Sequence, residues 1–388
     1  MSTRIPARFR RLRDDESGFS LVYTAIGFMT FMAASTLAID VGMFMTARSQ
    51  AQNSADSGAL AGVVALVFND YNNRTASGPS VQSALGAARS NQVVRGTVSV
   101  TSADVTFPTG PTGLNNRVQV TVRRTAARNN PVPTLIGPFF GVPTVDILAV
   151  ATAEASPASA ETCVMPFTIP DKWTEHQTGT WDVDDTFDMY DNKGNPLLNP
   201  DVYVPGTQAG GTGYNAINDR GLTLTLKANN QNKTAPSFYN PWDLPGSGGA
   251  SDYRNNIANC NTNIIEIGHI MATEPGNMVG PTKDGTLDLI ARDPNAYWDD
   301  YCSCVKGSAF GKSPRIAIVP LYDPFYYETG KHNGNNASLK VANYLGFFIQ
   351  SLSGAGEVVG RITPVTGLIS GSAPTTVTAF PMAIRLVQ

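Results

Sequence analysis

The sequence predicts an α+β fold in which a long N-terminal transmembrane helix leads into a small antiparallel sheet, followed by an irregular β-rich domain. Three observations support this prediction. An uncharged apolar run near the N-terminus is long enough to span a membrane, later segments alternate β-branched with polar residues, and 36 Gly with 26 Pro indicate many turns. A length of 388 residues also favours two folded units over one.

The first element is a membrane span. Residues 1–17 form a basic leader with five arginines, Arg4, Arg8, Arg10, Arg11 and Arg13. The 22 residues of 18–39 carry no charge, and a helix of that length extends about 33 Å, enough to cross a bilayer core. Because only Arg48 follows closely, the N-terminus is expected in the cytoplasm and the bulk of the chain outside. A cleaved signal peptide is the alternative, although its apolar region is usually about 7–15 residues.

The pattern continues past the span and predicts one long helix over residues 19–68. Small residues recur every four positions in two rows, Ala47, Ala51, Ala55 and Ala59, and Ser54, Gly58 and Gly62. Such rows allow the close approach of a second helix. Arg48, Gln52 and Asp56 recur at the same spacing. Two alternatives remain open: the helix packs on its own domain, or it packs against another subunit.

Polar and small residues fall at fixed intervals inside this otherwise apolar helix. They are Glu16-Ser-Gly-Phe, Ala38-Ile-Asp40-Val-Gly42, Ala47-Arg48, Gln52-Asn53-Ser-Ala55-Asp56 and Ala59-Leu-Ala61-Gly62. The array resembles the N-terminal module of the TadE/TadG-like proteins of the tight-adherence (Tad, or Flp) pilus assembly system. The resemblance extends to residue 155 through Val118–Val122, Phe139-Phe-Gly141 and Ala149–Ala153.

The resemblance implies a pilin-like sheet and a component of a Tad/Flp-type pilus that is anchored in the bacterial inner membrane. Such a component is a minor pilin or a pilus assembly protein, with a single span, a cytoplasmic N-terminus and a periplasmic or extracellular body. Its partners would be other pilin-like or assembly subunits, contacted through the N-terminal helix. The residues that carry helix packing or assembly would then be Asp40, Gly42, Arg48, Gln52 and Asp56.

The span opens with a match to a type IV prepilin processing site. A peptidase would cut after Gly18 and leave Phe19 as the new N-terminus. Tyr23 departs from the pattern, because filament pilins usually carry Glu at the fifth mature position, where it pairs with a neighbour's ammonium group. This departure puts incorporation into the filament in question. Asp40, at the far interface, is expected either to contact a partner helix or to be hydrated among the headgroups.

Two further domains are expected beyond the helix. Residues 69–155 predict a small α+β exported domain with a helix at 80–91 and strands at 97–105, 117–123 and 145–153. A Pro/Ala/Ser-rich joint marks the boundary, and residues 161–388 predict a β-rich periplasmic or surface domain. Its expected elements are strands at 221–228, 315–322, 344–350, 357–363 and 377–387 and a helix at 285–292.

All four cysteines, Cys163, Cys260, Cys302 and Cys304, lie in the part expected to be exported, where an oxidising compartment would pair them. Four cysteines allow three connectivities. A bond across the single residue between Cys302 and Cys304 is geometrically awkward, so Cys163 and Cys260 are each expected to join one of that pair. A C-x-C motif with three scattered histidines is a weak zinc signal, and no metal or cofactor is expected.

The composition and the motifs favour a binding role over catalysis. A formal charge of −3 and a pI near 5.7 give no footprint of a nucleic-acid partner. The sequence contains no G-x-S-x-G or H-E-x-x-H motif, and Gly307–Ser313 has the wrong spacing for a phosphate loop. The chain is therefore expected not to be an enzyme, although a hydrolase that uses acidic pairs brought together by folding stays an alternative.

Two further clusters have competing interpretations. The acidic stretch Trp181–Gly194 offers oxygen ligands for calcium, but solvated turn aspartates explain it more simply. Aromatic residues could form a surface for a glycan or another subunit, or could pack in the core: Trp173, Trp181, Trp242, Trp298 and Phe325-Tyr326-Tyr327. An envelope-tethered adhesin or glycan-binding module is therefore the alternative to a pilus component.

Overall fold

The computed structural model describes residues 17–110, 115–206, 208, 210–215, 218–332, 338–370 and 381–387. The basic leader lies outside the described residues except for its last position. The fold class predicted from the sequence is confirmed: a long apolar N-terminal helix precedes a β-rich C-terminal body of helices and sheets.

The long helix, α1, runs without interruption from Ser17 to Phe68, and its 52 residues extend about 78 Å. No proline interrupts it. The hydroxyl groups of Thr24, Thr30, Thr36 and Thr46 each donate a hydrogen bond to the carbonyl four residues earlier. These bonds satisfy the polar side chains inside the helix itself, so they fit an apolar environment.

The remaining helices are short: α2 (Pro79–Arg89), α3 (Gly249–Ala258), α4 (Val279–Arg292) and α5 (Pro324–His332). The helix α2 corresponds to the predicted helix at 80–91, with Pro79 in its first turn. The predicted helix at 285–292 is the second half of α4.

The structure has strands that range from 2 residues to the 14 residues of the longest one. In order they are β1 (Gln92–Val93), β2 (Gly96–Thr97), β3 (Val105–Thr106), β4 (Arg117–Arg124), β5 (Val132–Pro133), β6 (Thr144–Val145), β7 (Ile147–Pro157), β8 (Ala160–Glu161), β9 (Phe167–Pro170), β10 (Thr223–Ala228), β11 (Phe238–Asp243), β12 (Ile265–Glu266), β13 (Ile270–Thr273), β14 (Tyr297–Asp299), β15 (Cys304–Lys306), β16 (Ile316–Tyr322), β17 (Leu339–Leu352), β18 (Val358–Ile362) and β19 (Met382–Val387).

A four-stranded antiparallel sheet in the order β19-β7-β4-β3 carries the helices α1 and α2 on one face. Alternate residues of β4 are buried, and Val118, Val120 and Val122 are fully enclosed beneath the helices. The predicted strand at 97–105 is not continuous. The Asp104 carboxylate accepts hydrogen bonds from the backbone and side chain of Thr101, and this box fixes a 3-10 turn in the middle of the segment.

The edge strand of this sheet comes from far along the chain. β19 pairs with β7 in antiparallel register from Met382 opposite Pro157 to Val387 opposite Thr152. The pairing includes an ion network, in which Glu154 binds Arg117 at 2.5 Å and Arg385 at 3.2 Å. Burial raises the pKa of Glu154, but hydrogen bonds from Ser156 and Arg117 outweigh it and hold the pKa below its ordinary value. Residues 382–387 therefore complete the sheet of the first domain.

The second unit is a closed barrel, a feature the sequence did not predict. Its strands follow the ring β9-β11-β10-β18-β17-β16, with β13 inserted between β11 and β17 at one end. The pairs β10–β11 and β9–β16 are parallel and the other neighbours are antiparallel. A buried apolar cluster fills the barrel, including Phe167, Leu226, Leu345, Phe347 and Ile362. Closure removes the exposed strand edges of an open sheet.

The predicted disulfide connectivity is wrong. Cys163 bonds to Cys260, and Cys302 bonds to Cys304. The prediction judged a bond across one residue geometrically awkward, but Ser303 has a φ of +48° in the loop between β14 and β15. This left-handed turn brings the α-carbons of Cys302 and Cys304 to 5.2 Å, which is within disulfide reach.

Candidate assembly and anchoring site

The N-terminal half of α1 is the most exposed apolar surface of the described chain. Its outward-facing large side chains are Phe19, Leu21, Val22, Tyr23, Ile26, Phe28, Met29, Phe31, Met32, Leu37, Ile39, Val41 and Met45. Within the described residues, α1 is the helix that is long and apolar enough to cross a membrane, and none of its most apolar window is buried. Because soluble domains rarely expose a contiguous apolar surface of this size, the segment is a candidate membrane anchor.

The C-terminal half of α1 packs on its own domain, which answers one question that the sequence left open. The row Ala47, Ala51, Ala55 and Ala59 is buried against the sheet that contains β4 and β7. The adjacent row, Ser54, Gly58 and Gly62, faces α2 and also touches β4. Small side chains on both rows let α1 lie close to its neighbours, so this part of the helix is occupied within the chain.

Two glycines set the distance between α1 and α2. A Cβ atom at Gly58 would lie 3.0 Å from the Cβ of Ala88, and one at Gly62 would lie 3.1 Å from the Cβ of Ala84 and 2.8 Å from Cγ1 of Val118 in β4. Two buried serines add polar links between the helices: Ser54 donates to the carbonyl of Ala88 at 2.7 Å, and Ser80 donates to that of Gly62 at 2.8 Å. Close packing and satisfied polar groups together fix the helix pair.

The polar residues expected to serve helix packing or assembly separate into different environments. The Gln52 side-chain amide donates to Asp56 at 2.8 Å and to the carbonyl of Val150 at 3.1 Å, so this pair links α1 to β7. Arg48 is exposed. Gly42 is open, because a Cβ atom there would meet nothing within 4 Å. Of these four residues, only Arg48 and Gly42 are available to a partner.

Asp40 is buried by a loop of its own chain, so it is not hydrated as one expectation from the sequence had it. Its side chain is 97% buried, with 3% exposed, and its carboxylate accepts hydrogen bonds from two consecutive backbone N–H groups. Oδ1 lies 2.6 Å from the nitrogen of Leu135, and Oδ2 lies 2.9 Å from that of Ile136. The prediction missed this partner because it lies in a loop 95 positions later. Asp40 thus fixes the loop of the β5–β6 hairpin to α1.

The loop that Asp40 holds is itself apolar and tightly folded. Between β5 and β6, the backbone of Val142 donates to Gly137 at 2.8 Å and that of Phe139 donates to Ile136 at 3.0 Å. The Thr134 hydroxyl donates to the carbonyl of Val142 at 2.7 Å. We call residues 134–143 the apolar tip. Sequence reasoning assigned no role to Phe139 and Phe140, although an uncharged aromatic pair between prolines was a usable signal.

The residues of the expected processing site lie at the start of α1. Gly18 is within the helix, and Phe19 is exposed with its ring 5.1 Å from the ring of Tyr23. Cleavage after Gly18 stays a prediction.

The structure separates the aromatic residues singled out in the C-terminal domain into buried and exposed ones. Trp173, Trp242 and Trp298 are buried, whereas Phe325 and Tyr326 are exposed. In the acidic stretch, the Asp191 carboxylate accepts the backbone N–H groups of residues 193 and 195, as expected for a turn aspartate. Throughout the described part of the chain, no group of three or more His, Cys, Asp or Glu side chains is placed to hold a metal ion.

Buried carboxyl groups of the C-terminal domain with raised pKa values include Asp171, Glu161 and Asp201. Burial raises the pKa of Asp171 to about 6, although hydrogen bonds from the backbone of Tyr214 and Lys172 oppose the shift. Burial raises the pKa of Glu161 to about 8, and the charge of Lys312 opposes it. Oε1 of Glu161 has no hydrogen-bond partner among the described residues. Glu161 lines a cavity with Lys312 and the Cys163–Cys260 disulfide.

One side chain joins the anchor helix to the C-terminal domain. The guanidinium of Arg220 donates to the carbonyl oxygens of Phe68 and Asn69 at the end of α1, and also to that of Ser303 at 2.8 Å. The last carbonyls of a helix lack intrahelical partners and carry partial negative charge, so a cation stabilises them. No motif or spacing around Arg220 indicated this contact.

The comparisons with known proteins concern the same helix. Residues 18–65 match the family model described as putative Flp pilus-assembly TadE/G-like. The resemblance recognised in the sequence is confirmed over these residues, and the match supports a pilus-associated role. A search of curated proteins and a search of solved structures gave no significant match.

Proposed function

We propose that this chain is a membrane-anchored, non-enzymatic component of a Tad/Flp-type pilus, with its body on the periplasmic or extracellular side of the bacterial inner membrane. The observation that carries the proposal is the division of α1. The family match covers residues 18–65. Within these residues the N-terminal half of α1 is exposed and apolar, whereas the C-terminal half is packed against the chain's own sheet.

This division assigns the two halves of α1 different tasks. The exposed half provides the span and a surface for other pilin-like or assembly subunits, since its apolar side chains have no partner within the chain. The packed half holds the first domain directly above the membrane. Gly42 and Arg48 lie between the two halves and are the polar or small residues open to a neighbouring subunit.

Site-specific photocrosslinking in piliated cells tests the proposal. A photoreactive residue at Met29, in the exposed part of the span, should form adducts with pilus assembly components. The same residue at Leu198, which is fully exposed in the C-terminal domain, serves as the matched control. If Met29 gives no adducts while the protein is present in the membrane fraction, the assembly role is wrong.

The position within the pilus system requires two further measurements. Mass spectrometry of the mature N-terminus distinguishes Met1 from Phe19 and so decides whether cleavage occurs after Gly18. We expect the protein in the membrane fraction and not in sheared filaments, because Tyr23 replaces the carboxylate that pairs with a neighbouring N-terminus. Its recovery in sheared filaments, at a low ratio to the main filament subunit, would identify a minor pilin.

An adhesin or glycan-binding role is the second candidate. It draws on Phe325 and Tyr326, which are exposed together near the start of α5. Binding of the purified full chain to a glycan array, lost on substitution of both residues by Ser, would favour it. A glycan hit that survives this double substitution would assign the binding elsewhere.

A further inference from the structure

We propose that the apolar tip, residues 134–143, inserts into the same lipid bilayer as α1, so that the protein enters the membrane at two places. This inference rests on the proposed membrane anchoring by α1. It assigns a ligand class, the acyl chains and glycerol region of the bilayer, to a loop that belongs to the first exported domain.

The tip has the composition and exposure of a membrane-inserting loop. No charged residue occurs from position 131 to 145. The Phe139 side chain is 86% exposed and the Phe140 side chain 74% exposed, and Leu135 and Val142 are also exposed. Transfer of two neighbouring, outward-facing phenylalanines from water into lipid is favourable, by about 25 cal/mol for each Å² of apolar surface removed from water.

Along the axis of α1, the tip lies beside residues of the proposed span and not beyond its end. Ile136, Gly137 and Phe140 line an apolar groove whose opposite wall is α1 from Thr30 to Phe44. Thr30 precedes Asp40 by ten residues, which corresponds to about 15 Å along the helix towards its N-terminus. A bilayer that surrounds Thr30 must therefore also meet Phe140, because both residues line the same groove.

Most backbone N–H groups of the tip are hydrogen-bonded within the protein, which suits an environment without water. Within lipid, each N–H group needs a partner inside the protein. Six of the eight N–H groups in residues 134–143 have such a bond: those of Leu135 and Ile136 bind the Asp40 carboxylate, and four bind backbone carbonyls, at Thr134, Phe139, Gly141 and Val142. Prolines at positions 138 and 143 have no N–H group to satisfy.

This arrangement explains why an aspartate is buried beside the span. Without Asp40, two adjacent N–H groups of the tip would lack an acceptor where water is scarce, and each would cost free energy. The carboxylate is in turn satisfied by those two donors. Asp40 is therefore a positioning residue that holds the tip against α1.

The continuity between tip and span favours lipid over a protein partner. The tip's exposed side chains and those of α1 before Asp40 form one apolar surface, and the part on α1 is the proposed span. A docking site for a soluble protein would instead lie apart from the membrane-embedded surface. A second copy of the chain is the competing occupant, and the experiment distinguishes it.

Fluorophore quenching in proteoliposomes tests the inference with the full chain. Each described cysteine is in a disulfide, so an added cysteine can be labelled alone with a polarity-sensitive dye. Three variants are compared: Phe139→Cys in the tip, Phe28→Cys in the span and Leu198→Cys in the C-terminal domain. Nitroxide groups on the acyl chains probe lipid contact, and iodide probes water contact.

We expect the label at position 139 to be quenched by the nitroxide lipids and shielded from iodide, as at position 28, and the label at 198 to show the opposite. If position 139 behaves like 198 while 28 stays lipid-quenched, the inference is overturned and the anchor stands. If position 28 is itself open to iodide, the proposed anchoring fails. Shielding of 139 from both quenchers indicates a protein occupant and overturns the inference.

A second pair of variants tests the role of Asp40. In the Phe139→Cys background, Asp40→Ala should release the tip, so that nitroxide quenching at position 139 is lost and iodide quenching appears. Asp56→Asn is the control. Asp56 lies on the same helix, but its carboxylate accepts a hydrogen bond from Gln52 and not from the tip. Equal quenching in both variants would show that Asp40 does not position the tip.

Discussion

The guanidinium of Arg220 lies 2.5 Å from the carbonyl oxygen of Phe68, the last residue of α1. The same side chain donates to Ser303, next to the Cys302–Cys304 disulfide. One arginine of the C-terminal domain therefore closes the end of the anchor helix and holds a crosslinked hairpin against it.

Replacement of Arg220 by Ala should loosen this joint. The loss of charged hydrogen bonds to three carbonyl groups is expected to cost about 1.5–3 kcal/mol. We expect a lower thermal transition of the full chain in detergent and faster proteolysis after Phe68. Arg254→Ala is the matched control, because its ion pairs with Asp284 and Asp288 are exposed and contribute little. Equal transitions for both variants would contradict the role of Arg220.

Substitution by Ala should change the stability of the protein in opposite directions at Gly62 and at Gly42. Gly62→Ala places a methyl group 2.8 Å from Val118 and is expected to destabilise the first domain by about 1–3 kcal/mol from overpacking, partly offset by better helix propensity. Gly42→Ala meets no atom within 4 Å and should be neutral or stabilising by up to about 1 kcal/mol. Chemical denaturation in detergent compares the two, and equal stability would show that the helix spacing tolerates a methyl group.

Glu161 should make stability fall as the pH rises. The pKa of Glu161 is about 8 in the folded protein, and its ordinary value of 4.5 applies to the unfolded chain. Between these two pH values the folded state therefore binds more protons than the unfolded state. The free energy of unfolding then decreases with pH, by at most about 1.4 kcal/mol per pH unit. Glu161→Gln should remove this slope between pH 6.5 and 8, above the value near 6 for Asp171. An unchanged slope in the variant would refute the assignment.

The two disulfides should differ in their contribution to stability. The Cys163–Cys260 bond closes a separation of 97 residues, and chain entropy predicts a loss of about 4–5 kcal/mol when both cysteines are replaced by Ser. The Cys302–Cys304 bond spans two positions, for which the same relation gives about 1–2 kcal/mol. Denaturation of the two double variants measures the difference. Peptide mapping without reductant checks the pairing, and any crossed peptide such as 163–302 would contradict it.

The sequence predicted those parts of the protein that depend on local pattern. An uncharged run and a four-residue repeat of small residues were sufficient for α1, and alternation was sufficient for β4. The partner of each surface was not predictable in the same way. Asp40 meets residues 135 and 136, and Arg220 meets residue 68, so both contacts depend on where the folded chain returns.

Closure of the barrel and the disulfide pairing escaped prediction for related reasons. The ring depends on the parallel pairing of β10 with β11 and of β9 with β16, which no alternation of residue types encodes. The Cys302–Cys304 bond depends on the left-handed conformation of a serine, which local composition does not favour. Candidate assembly residues were identified by spacing, but spacing alone did not separate the occupied Gln52 and Asp56 from the open Gly42.

The pairing of β19 with β7 has a consequence for biogenesis. Arg385 contacts Glu154 although the two residues are 231 positions apart. The whole barrel therefore lies, in sequence, between the two neighbouring strands β7 and β19. If the body is exported as proposed, β7 has an unpaired edge until the residues of β19 have followed the barrel across the membrane. A chain interrupted before residue 382 would leave that edge open to proteases and to mispairing.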